Sequence, residues 1–210
     1  MTFTTLLFDL DDTLYKPGNG IWEQISHRIH QYMQTYCHIP AQHASDVRKT
    51  YFRKYGTTMR GLVIHHHIDP AHYLEYVHDF DVSPMVAYDP EIYAMFSKLP
   101  HEKHIFTNAS RAHAERVLRL LQIQDFFISV VDVMNIQPFC KPMPEAFTKA
   151  LHLLQKKPDE CIFIDDSLRN LDQAKSMGIF TIYPNADKTM VTQPHTTISS
   201  LLHLPEVLPT

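Results

Sequence analysis

The segment FDLDDTLY near the start of the chain places Asp9, Asp11 and Thr13 at a spacing of two residues. It overlaps the end of an apolar run of strand length. Neighbouring carboxylates repel each other unless a cation offsets their charge, so the pattern favours a cation-binding site. An aspartate that is ionised at neutral pH also acts as a nucleophile without a separate base. The segment therefore indicates metal-assisted nucleophilic chemistry, with an Asp-rich turn as the purely structural alternative.

Three later segments carry the other residues that could do chemistry. Thr107 stands in IFTN, Lys141 in CKPMPEAF, and Asp165 with Asp166 in IFIDDSLRN. Each has an ordinary structural interpretation, because Thr and Asp cap helices and Lys-Pro forms turns. All of them nevertheless lie at or just beyond the end of an apolar run. If those runs are parallel strands, the residues meet at one edge of the sheet.

The elements that would position these residues follow from the apolar pattern. Five runs of strand length cover residues 4–9, 103–107, 126–131, 161–165 and 179–183. Helical signals separate the last four runs, with starts near Ser110, Pro144 and Ser167. Strands that alternate with helices predict an α/β fold with a doubly wound, parallel, five-stranded sheet.

The stretch from residue 17 to residue 85 contains no convincing strand. Apolar residues recur at helical spacing over residues 21–36 and 44–55, and Asp69-Pro70 begins a third helical pattern. An insertion of this size after the first strand predicts a helical cap. We therefore expect a catalytic core of residues 1–16 and 86–210 and a cap domain of residues 17–85.

Composition excludes several other functions. The chain of 210 residues has a formal charge of -4 and no cluster of Lys and Arg, which argues against binding to a nucleic acid polymer or an anionic membrane. Its five glycines form neither a Walker A loop nor a GxGxxG turn. Three cysteines, no secretion signal and no membrane-length apolar stretch lead us to expect a cytoplasmic protein.

The four ordered motifs resemble those of the haloacid dehalogenase-like (HAD) hydrolase superfamily, whose sheet is Rossmann-like. They match at Asp9-x-Asp11-x-Thr13, Thr107, Lys141 and Asp165-Asp166. Within that superfamily the chain resembles the pyrimidine 5′-nucleotidase group through FDLDDTLY, YFRKYGTTMRGL, IFTNAS, CKP and FIDDSLRNL. The resemblance implies a Mg²⁺-dependent phosphomonoester hydrolase for a small-molecule phosphate ester, with nucleoside 5′-monophosphates as the favoured substrates.

Charge and geometry suggest how such a site would work. Asp9 would attack phosphorus and form an aspartyl-phosphate. Asp11 would protonate the leaving oxygen and then take a proton from the attacking water, provided that its pKa is raised. The carboxylates and a phosphate dianion outnumber the charges of Mg²⁺ and Lys141, which favours one retained proton on Asp11.

Mg²⁺ prefers octahedral oxygen ligands. The expected metal ligands are Asp9, the backbone carbonyl of Asp11, Asp165 and Asp166, and the resemblance favours Asp166 as a direct ligand. Phosphate would be held by Thr107, Asn108 and Lys141. Candidate cap contacts for the leaving group are Tyr51, Tyr55 and Arg60, while the run His65-His66-His67 is expected to be a solvated surface.

Several alternatives share parts of this motif set. A phosphomutase would pass the phosphate through Asp9 without net phosphate release. A phosphatase for phosphoglycolate or a sugar phosphate would use the same residues on a different leaving group. A dehalogenase has no need for the carboxylates of Asp11, Asp165 and Asp166 around a metal, and a phosphate-binding module would not need a nucleophile. The sequence does not indicate an oligomeric state.

Overall fold

The computed structural model of the protein describes residues 3–184 and 194–209, and a parallel sheet forms its centre. The strands are β1 (Thr5–Phe8), β2 (Glu102–Phe106), β3 (Ser129–Val131), β4 (Cys161–Ile164), β5 (Phe180–Tyr183) and β6 (Thr196–Thr197). Their order in the sheet is β3-β2-β1-β4-β5-β6, and every pairing is parallel. The predicted doubly wound α/β fold is thus confirmed, with six strands in the described residues instead of the predicted five.

The additional strand and one shifted boundary have simple causes. β6 has two residues, which is too short to produce a recognisable apolar run. The predicted strand over residues 126–131 begins only at Ser129, because Gln124–Phe126 forms a turn of 3₁₀ helix first. Apolar runs alone do not separate such a turn from the strand that follows it.

Helices cover both faces of the sheet. Between β1 and β2 lie α1 (Ile21–Cys37), α2 (Ala41–Tyr55), α3 (Thr58–His66), α4 (Pro70–His78) and α5 (Pro90–Lys98). Later in the chain follow α6 (Arg111–Leu121), α7 (Pro144–Leu154), α8 (Leu168–Ser176) and α9 (Leu204–Val207). None of the helices in the described ranges is long and apolar enough to cross a membrane.

β1 occupies the centre of the sheet because its side chains are apolar on both faces. Leu6 and Phe8 belong to one hydrophobic core, and Leu7 belongs to the other, where Phe106 and Phe163 also pack. The register aligns the last residue of β1 with the strands on either side, and the carboxyl ends of β1, β2 and β4 therefore lie next to each other.

The helices that follow β1 pack mainly through aromatic and aliphatic side chains. α1 buries Ile25, Ile29 and Met33 on one stripe, as its spacing predicts. The ring of Tyr32 meets the ring of Tyr73 on α4 edge-on at 5.0 Å between centroids. The described residues between β1 and β2 contain no strand. Their treatment as a separate cap domain of residues 17–85 stays a prediction.

Candidate active site

Three of the predicted site residues, Asp9, Thr107 and Asp165, directly follow the ends of β1, β2 and β4, whereas Lys141 lies in the segment between β3 and α7. Asp9 comes one residue after β1, and its backbone N-H donates to the carbonyl of Ile164 on β4 at 2.9 Å. The backbone N-H of Thr107, one residue after β2, donates to the carbonyl of Val131 at 3.0 Å. The hydrogen-bonded ladder thus continues one residue past both strands. It fixes the backbone positions from which the side chains of Asp9 and Thr107 project.

Lys141 joins the segments at the centre of the cluster. Its ammonium donates to Asp9 Oδ1 at 2.7 Å, to Asp165 Oδ2 at 2.8 Å and to the carbonyl of Phe106 at 2.7 Å. The side chain is only 1% exposed. Burial alone would lower the pKa of Lys141, but the carboxylates of Asp165 and Asp9 outweigh it and raise that pKa. The lysine therefore stays charged between two buried carboxylates.

The acidic cluster fits a divalent cation. One oxygen from each of Asp9, Asp165 and Asp166 lies within 4.8 Å of the others. The pKa of Asp9 is raised well above its ordinary value by burial and by repulsion from Asp165 and Asp166, against the attraction of Lys141. One lysine thus leaves negative charge unbalanced, and clustered carboxylate oxygens are the donors that Mg²⁺ prefers.

Asp11 faces a different set of partners from Asp9. β1 ends at Phe8 and Asp12 has a φ of 58°, so a turn after the strand directs the Asp11 side chain. Its Oδ1 lies 2.6 Å from the Tyr15 hydroxyl and 2.9 Å from His113 Nε2. The Asp11 carboxylate is therefore held by α6 and by its own turn.

The expected rise in the pKa of Asp11 concerns the site with phosphate bound and stays a prediction, while in the protein without ligands this pKa is lowered. Burial raises this pKa, but the charge and hydrogen bond of His113, together with the hydrogen bond from Tyr15, outweigh burial and lower it. The pKa of Tyr15 is raised by burial and by the Asp11 charge, so its hydroxyl remains a donor. An Asp11 that carries a proton thus requires further negative charge nearby.

The residues predicted to hold phosphate have structural partners as well. Asn108 donates to the carbonyl of Lys141 at 3.0 Å and accepts from the backbone N-H of Lys141 at 2.9 Å. It clamps the backbone next to the site, a role that the sequence did not suggest. The Thr107 hydroxyl accepts from the N-H of Ala109 at 3.0 Å, and both Thr107 and Asn108 line the same cavity as Asp9.

Further residues of the site were not predicted from the sequence. Asn170 on α8 donates to both oxygens of Asp165 at 3.0 Å, and the N-H of Asp166 donates to the Thr13 hydroxyl at 3.2 Å. His113, which contacts Asp11, is fully buried on α6. A signal for it was present, because His113 falls on the apolar stripe of that helix with Val117. Asn170 lies within the FIDDSLRNL segment, but no role was predicted for it.

A cavity of about 580 Å³ opens beside the acidic cluster. Its lining from the inserted helices includes Trp22, Ile25, Ile29, Arg48, Phe52 and Val77. Trp22 and Phe52 remain 43% and 50% exposed. The guanidinium of Arg169 lies over the Phe52 ring, 5.2 Å from its centroid, so at most one face of that ring is left for a ligand. The guanidinium of Arg48 donates to Ser26 Oγ at 2.5 Å and has no ion-pair partner within the part of the chain that the structure describes.

The cap residues singled out from the sequence lie elsewhere. Tyr51 and Tyr55 place their hydroxyls 3.2 Å and 2.6 Å from His66 Nε2 and His65 Nε2, respectively. Arg60 donates from Nε to the carbonyl of Pro138 at 3.0 Å. None of these three residues is among those that line the cavity, as far as the structure describes the chain. Their contact with substrate stays a prediction.

Comparison with known proteins gives the family. A family model described as haloacid dehalogenase-like hydrolase matches residues 3–178. The chain belongs to this family. The match spans β1 to α8 and therefore includes every segment of the acidic cluster. Membership in a hydrolase family agrees with the resemblance seen in the motifs.

Two curated relatives of this HAD hydrolase are phosphate-related by name. Phosphate metabolism protein 8 of Saccharomyces cerevisiae is 26% identical over 211 residues, covering 90% of this chain and 65% of the yeast protein. This chain thus spans about two thirds of that relative's length. The pyrophosphatase PpaX of Bacillus thuringiensis is 25% identical over 192 residues, covering 86% of this chain and 82% of that protein.

Solved structures share the fold at low identity. The HAD hydrolase YfnB of Bacillus subtilis, bound to magnesium, aligns with a TM-score of 0.65 and 19% identity over 100% of both chains. L-2-haloacid dehalogenase of Xanthobacter autotrophicus aligns with a TM-score of 0.63 and 14% identity over 98% of both chains. At such low identity both alignments show only that the fold is shared. A shared fold does not determine which reaction a protein catalyses.

Proposed function

We propose that this HAD hydrolase is a Mg²⁺-dependent phosphomonoester hydrolase that works through an aspartyl-phosphate on Asp9. The observation that supports it most is the meeting of Asp9, Lys141, Asp165 and Asp166 at the carboxyl edge of the sheet, beside a cavity of about 580 Å³. Nucleophile, balancing cation and metal-binding carboxylates are what phosphoryl transfer to a carboxylate requires.

The proposed reaction has two steps, formation of the aspartyl-phosphate and its hydrolysis. Asp9 attacks phosphorus while the bond from phosphorus to the leaving oxygen breaks, and Asp11 gives its proton to that oxygen. Water then attacks the same phosphorus, Asp11 takes the proton of that water, and Asp9 is released with inorganic phosphate. The phosphate dianion of a bound substrate supplies the negative charge that favours a proton on Asp11.

Asp9, Asp165, Asp166 and the carbonyl of Asp11 would hold the metal. When bound, Mg²⁺ neutralises the acidic cluster and withdraws charge from the phosphoryl oxygens. Lys141 shares this task, since its ammonium already contacts both Asp9 and Asp165. The backbone near Thr107 and Asn108 orients the remaining phosphoryl oxygens.

The cavity supports a nucleoside 5′-monophosphate, with pyrimidine nucleotides favoured by the motif resemblance. The exposed rings of Trp22 and Phe52 suit a planar base, and the guanidinium of Arg48 suits its carbonyl oxygens. Phosphoglycolate has no apolar part that would use these rings. Pyrophosphate is the second candidate, on the ground of the relative named pyrophosphatase PpaX and the cations Arg48 and Lys49 in the cavity.

The test is a panel of phosphate-release assays in Mg²⁺. It should contain pyrimidine and purine 5′-monophosphates, pyrophosphate, sugar phosphates and phosphoglycolate, with Asp9→Asn as the inactive control. We expect the highest kcat/KM with pyrimidine nucleotides. A wide lead for pyrophosphate or a sugar phosphate would overturn the substrate assignment, and the absence of phosphate release from every compound would overturn the proposed activity.

A further inference from the structure

A buried side-chain network connects Asp11 to the inserted helices. Two donors, the Tyr15 hydroxyl and His113 Nε2, reach the same oxygen of Asp11, Oδ1, at 2.6 Å and 2.9 Å. Oδ2 has no hydrogen-bond partner among the described residues, and Asp11 lines the cavity. One oxygen is thus fixed by the protein, while the other remains available to exchange a proton with a ligand.

The donor direction at His113 follows from the chemistry of its partner. An ionised carboxylate only accepts hydrogen bonds, so His113 Nε2 must carry the hydrogen. The other ring nitrogen, Nδ1, is buried and has no hydrogen-bond partner among the described residues. Among the described residues, packing alone therefore fixes the orientation of the ring on that side. This orientation sets the direction of the hydrogen that Nε2 donates to Asp11.

The packing partner is a second histidine, His78, in the last turn of α4. The rings of His78 and His113 stack with centroids 4.5 Å apart and planes 20° apart. His78 is itself anchored, because its Nδ1 lies 3.0 Å from the carbonyl of Leu74 and 3.2 Å from the hydroxyl of Ser110, the residue that caps α6. The His78 ring thus bridges α4 and the start of α6.

We propose that His113 is a positioning residue that orients the Asp11 carboxyl for proton transfer, and that the stacked ring of His78 sets the angle of His113. The inference rests on the proposed function, since it assumes that Asp11 protonates the leaving oxygen as the bond to phosphorus breaks. The proposal links proton transfer to the position of α4. A displacement of α4 changes the direction of the hydrogen bond to Asp11, so proton donation is efficient only when α4 lies against α6.

The test uses leaving groups that differ in their need for a proton. An alkyl phosphate such as a nucleotide releases a strongly basic alkoxide and needs protonation, whereas p-nitrophenyl phosphate releases a stable phenolate. The value of kcat/KM reports the steps up to departure of the leaving group. A positioning defect should therefore lower kcat/KM for the nucleotide and spare the aryl ester, while a merely structural defect lowers both.

For His113→Leu we expect kcat/KM for the nucleotide to fall roughly 100-fold, within the range that general acid catalysis contributes, and for p-nitrophenyl phosphate less than about threefold. His113→Gln places an amide donor near the position of Nε2 and should recover most of the nucleotide activity. The matched control is His104→Leu, which removes another buried histidine whose partners, Ser129 and Glu102, lie outside the cavity lining. It should change both substrates equally.

The role of the stacked ring is tested separately. His78→Ala should shift the ratio of the two kcat/KM values in the same direction as His113→Leu, and His78→Phe, which keeps a flat ring, should shift it much less. If His113→Leu does not fold, Tyr15→Phe and His78→Ala carry the same comparison. Equal losses on both substrates in these variants would overturn the inference. A wild-type protein that releases phosphate from neither ester would instead overturn the proposed function.

Discussion

Lys141 is the residue on which the charge balance of the site depends. It is the buried cation that the structure shows between Asp9 and Asp165, at 2.7 Å and 2.8 Å. Lys141→Met should destabilise the metal-free protein by about 3 kcal/mol, because two buried carboxylates lose their partner. It should also abolish most activity. Unfolding in denaturant with a chelator present measures the first effect.

A matched control for this prediction is Lys103→Met. Lys103 is also buried, but its ammonium donates to the carbonyls of Leu99 and His101 at 2.7 Å and 2.9 Å. Its replacement leaves no carboxylate unpaired, so we expect a smaller loss of stability and retained turnover. Equal stability losses in the two variants would contradict the charge argument.

His78 makes the pH dependence of stability testable. Its burial, with the neighbouring charge of His113, lowers the pKa of His78 to about 3, against an ordinary value near 6.5. Between these values the unfolded chain binds a proton that the folded protein does not. This histidine therefore lowers stability as the pH falls from about 6.5 to about 3, by up to about 1.4 kcal/mol per pH unit.

His78→Phe removes this contribution. Denaturant unfolding of both proteins across that pH range should show a shallower acid-side decline for the variant than for the wild type. The difference between the two curves isolates His78 from the other titrating groups. Parallel curves would mean that His78 titrates alike in the folded and unfolded states.

Individual residues differed in how far the sequence could predict them. The strand-end residues Asp9 and Asp165 were predictable because parallel strands bring their carboxyl ends together. The partners of Asp11 were not, since the turn at Asp12 redirects its side chain and the contacting histidine lies 102 residues away in the sequence. Hydrogen bonds of that kind depend on helix placement, which apolar periodicity does not specify.

At the scale of elements, the end of α2 approaches the loop that carries Lys141. Gly56 follows α2 with a φ of 88°, and a Cβ there would lie 2.8 Å from Cys140 Sγ and 3.0 Å from the carbonyl of Lys141. Gly56→Ala should therefore displace this loop and reduce both stability and kcat. The expected destabilisation exceeds the roughly 1–2 kcal/mol that left-handed backbone costs an alanine.

Gly18→Ala separates the cost of the left-handed backbone from the effect of the contact with the Lys141 loop. Gly18 has a similar φ of 78°, but a Cβ added there would meet no described atom within 4 Å. This variant should show the backbone cost alone and keep full activity. Unfolding free energies and kcat/KM of the two variants give the comparison, and equal values would show that the contact with the Lys141 loop is unimportant.

The elements themselves were largely predictable. α1 and α4 begin near the residues that the sequence suggested. For α4 the reason is that Asp69 caps the helix by accepting from the N-H of Ala71 at 2.9 Å and that Pro70 occupies its first turn. β6 was missed because two residues carry no periodicity. The cavity lining was also missed. Trp22 lies on the predicted stripe of α1 but faces the cavity, and periodicity does not distinguish these two environments.

At the scale of the whole molecule, a bound cation should stabilise the folded protein. The cluster of Asp9, Asp165 and Asp166 exists only after β1 and β4 are paired, so the proposed Mg²⁺ should bind the folded state preferentially. At a concentration 100 times its Kd, Mg²⁺ should add about 2.7 kcal/mol. Thermal unfolding with and without Mg²⁺ measures this. Asp165→Asn should abolish the gain, while Asp125→Asn, an exposed acid outside the cluster, should preserve it.

An unchanged unfolding temperature for the wild type in excess Mg²⁺ would contradict a resident metal. The same gain in the wild type and in Asp165→Asn would place the ion elsewhere on the protein. Both outcomes concern the metal alone, because unfolding is measured without substrate.

Detection of the phosphorylated protein is the sharpest test of Asp9 as the nucleophile. The protein should be mixed with a nucleoside 5′-monophosphate and, in parallel, with p-nitrophenyl phosphate in Mg²⁺, quenched in acid within one turnover, and digested for mass spectrometry. We predict one added phosphoryl group on the peptide that contains Asp9. With p-nitrophenyl phosphate, Asp11→Asn should accumulate more of it than the wild type, because the phenolate leaves without an acid while hydrolysis of the intermediate has lost its base. A wild type that turns over while Asp9 remains unmodified, or a phosphoryl group on another residue, would rule out nucleophilic attack by Asp9.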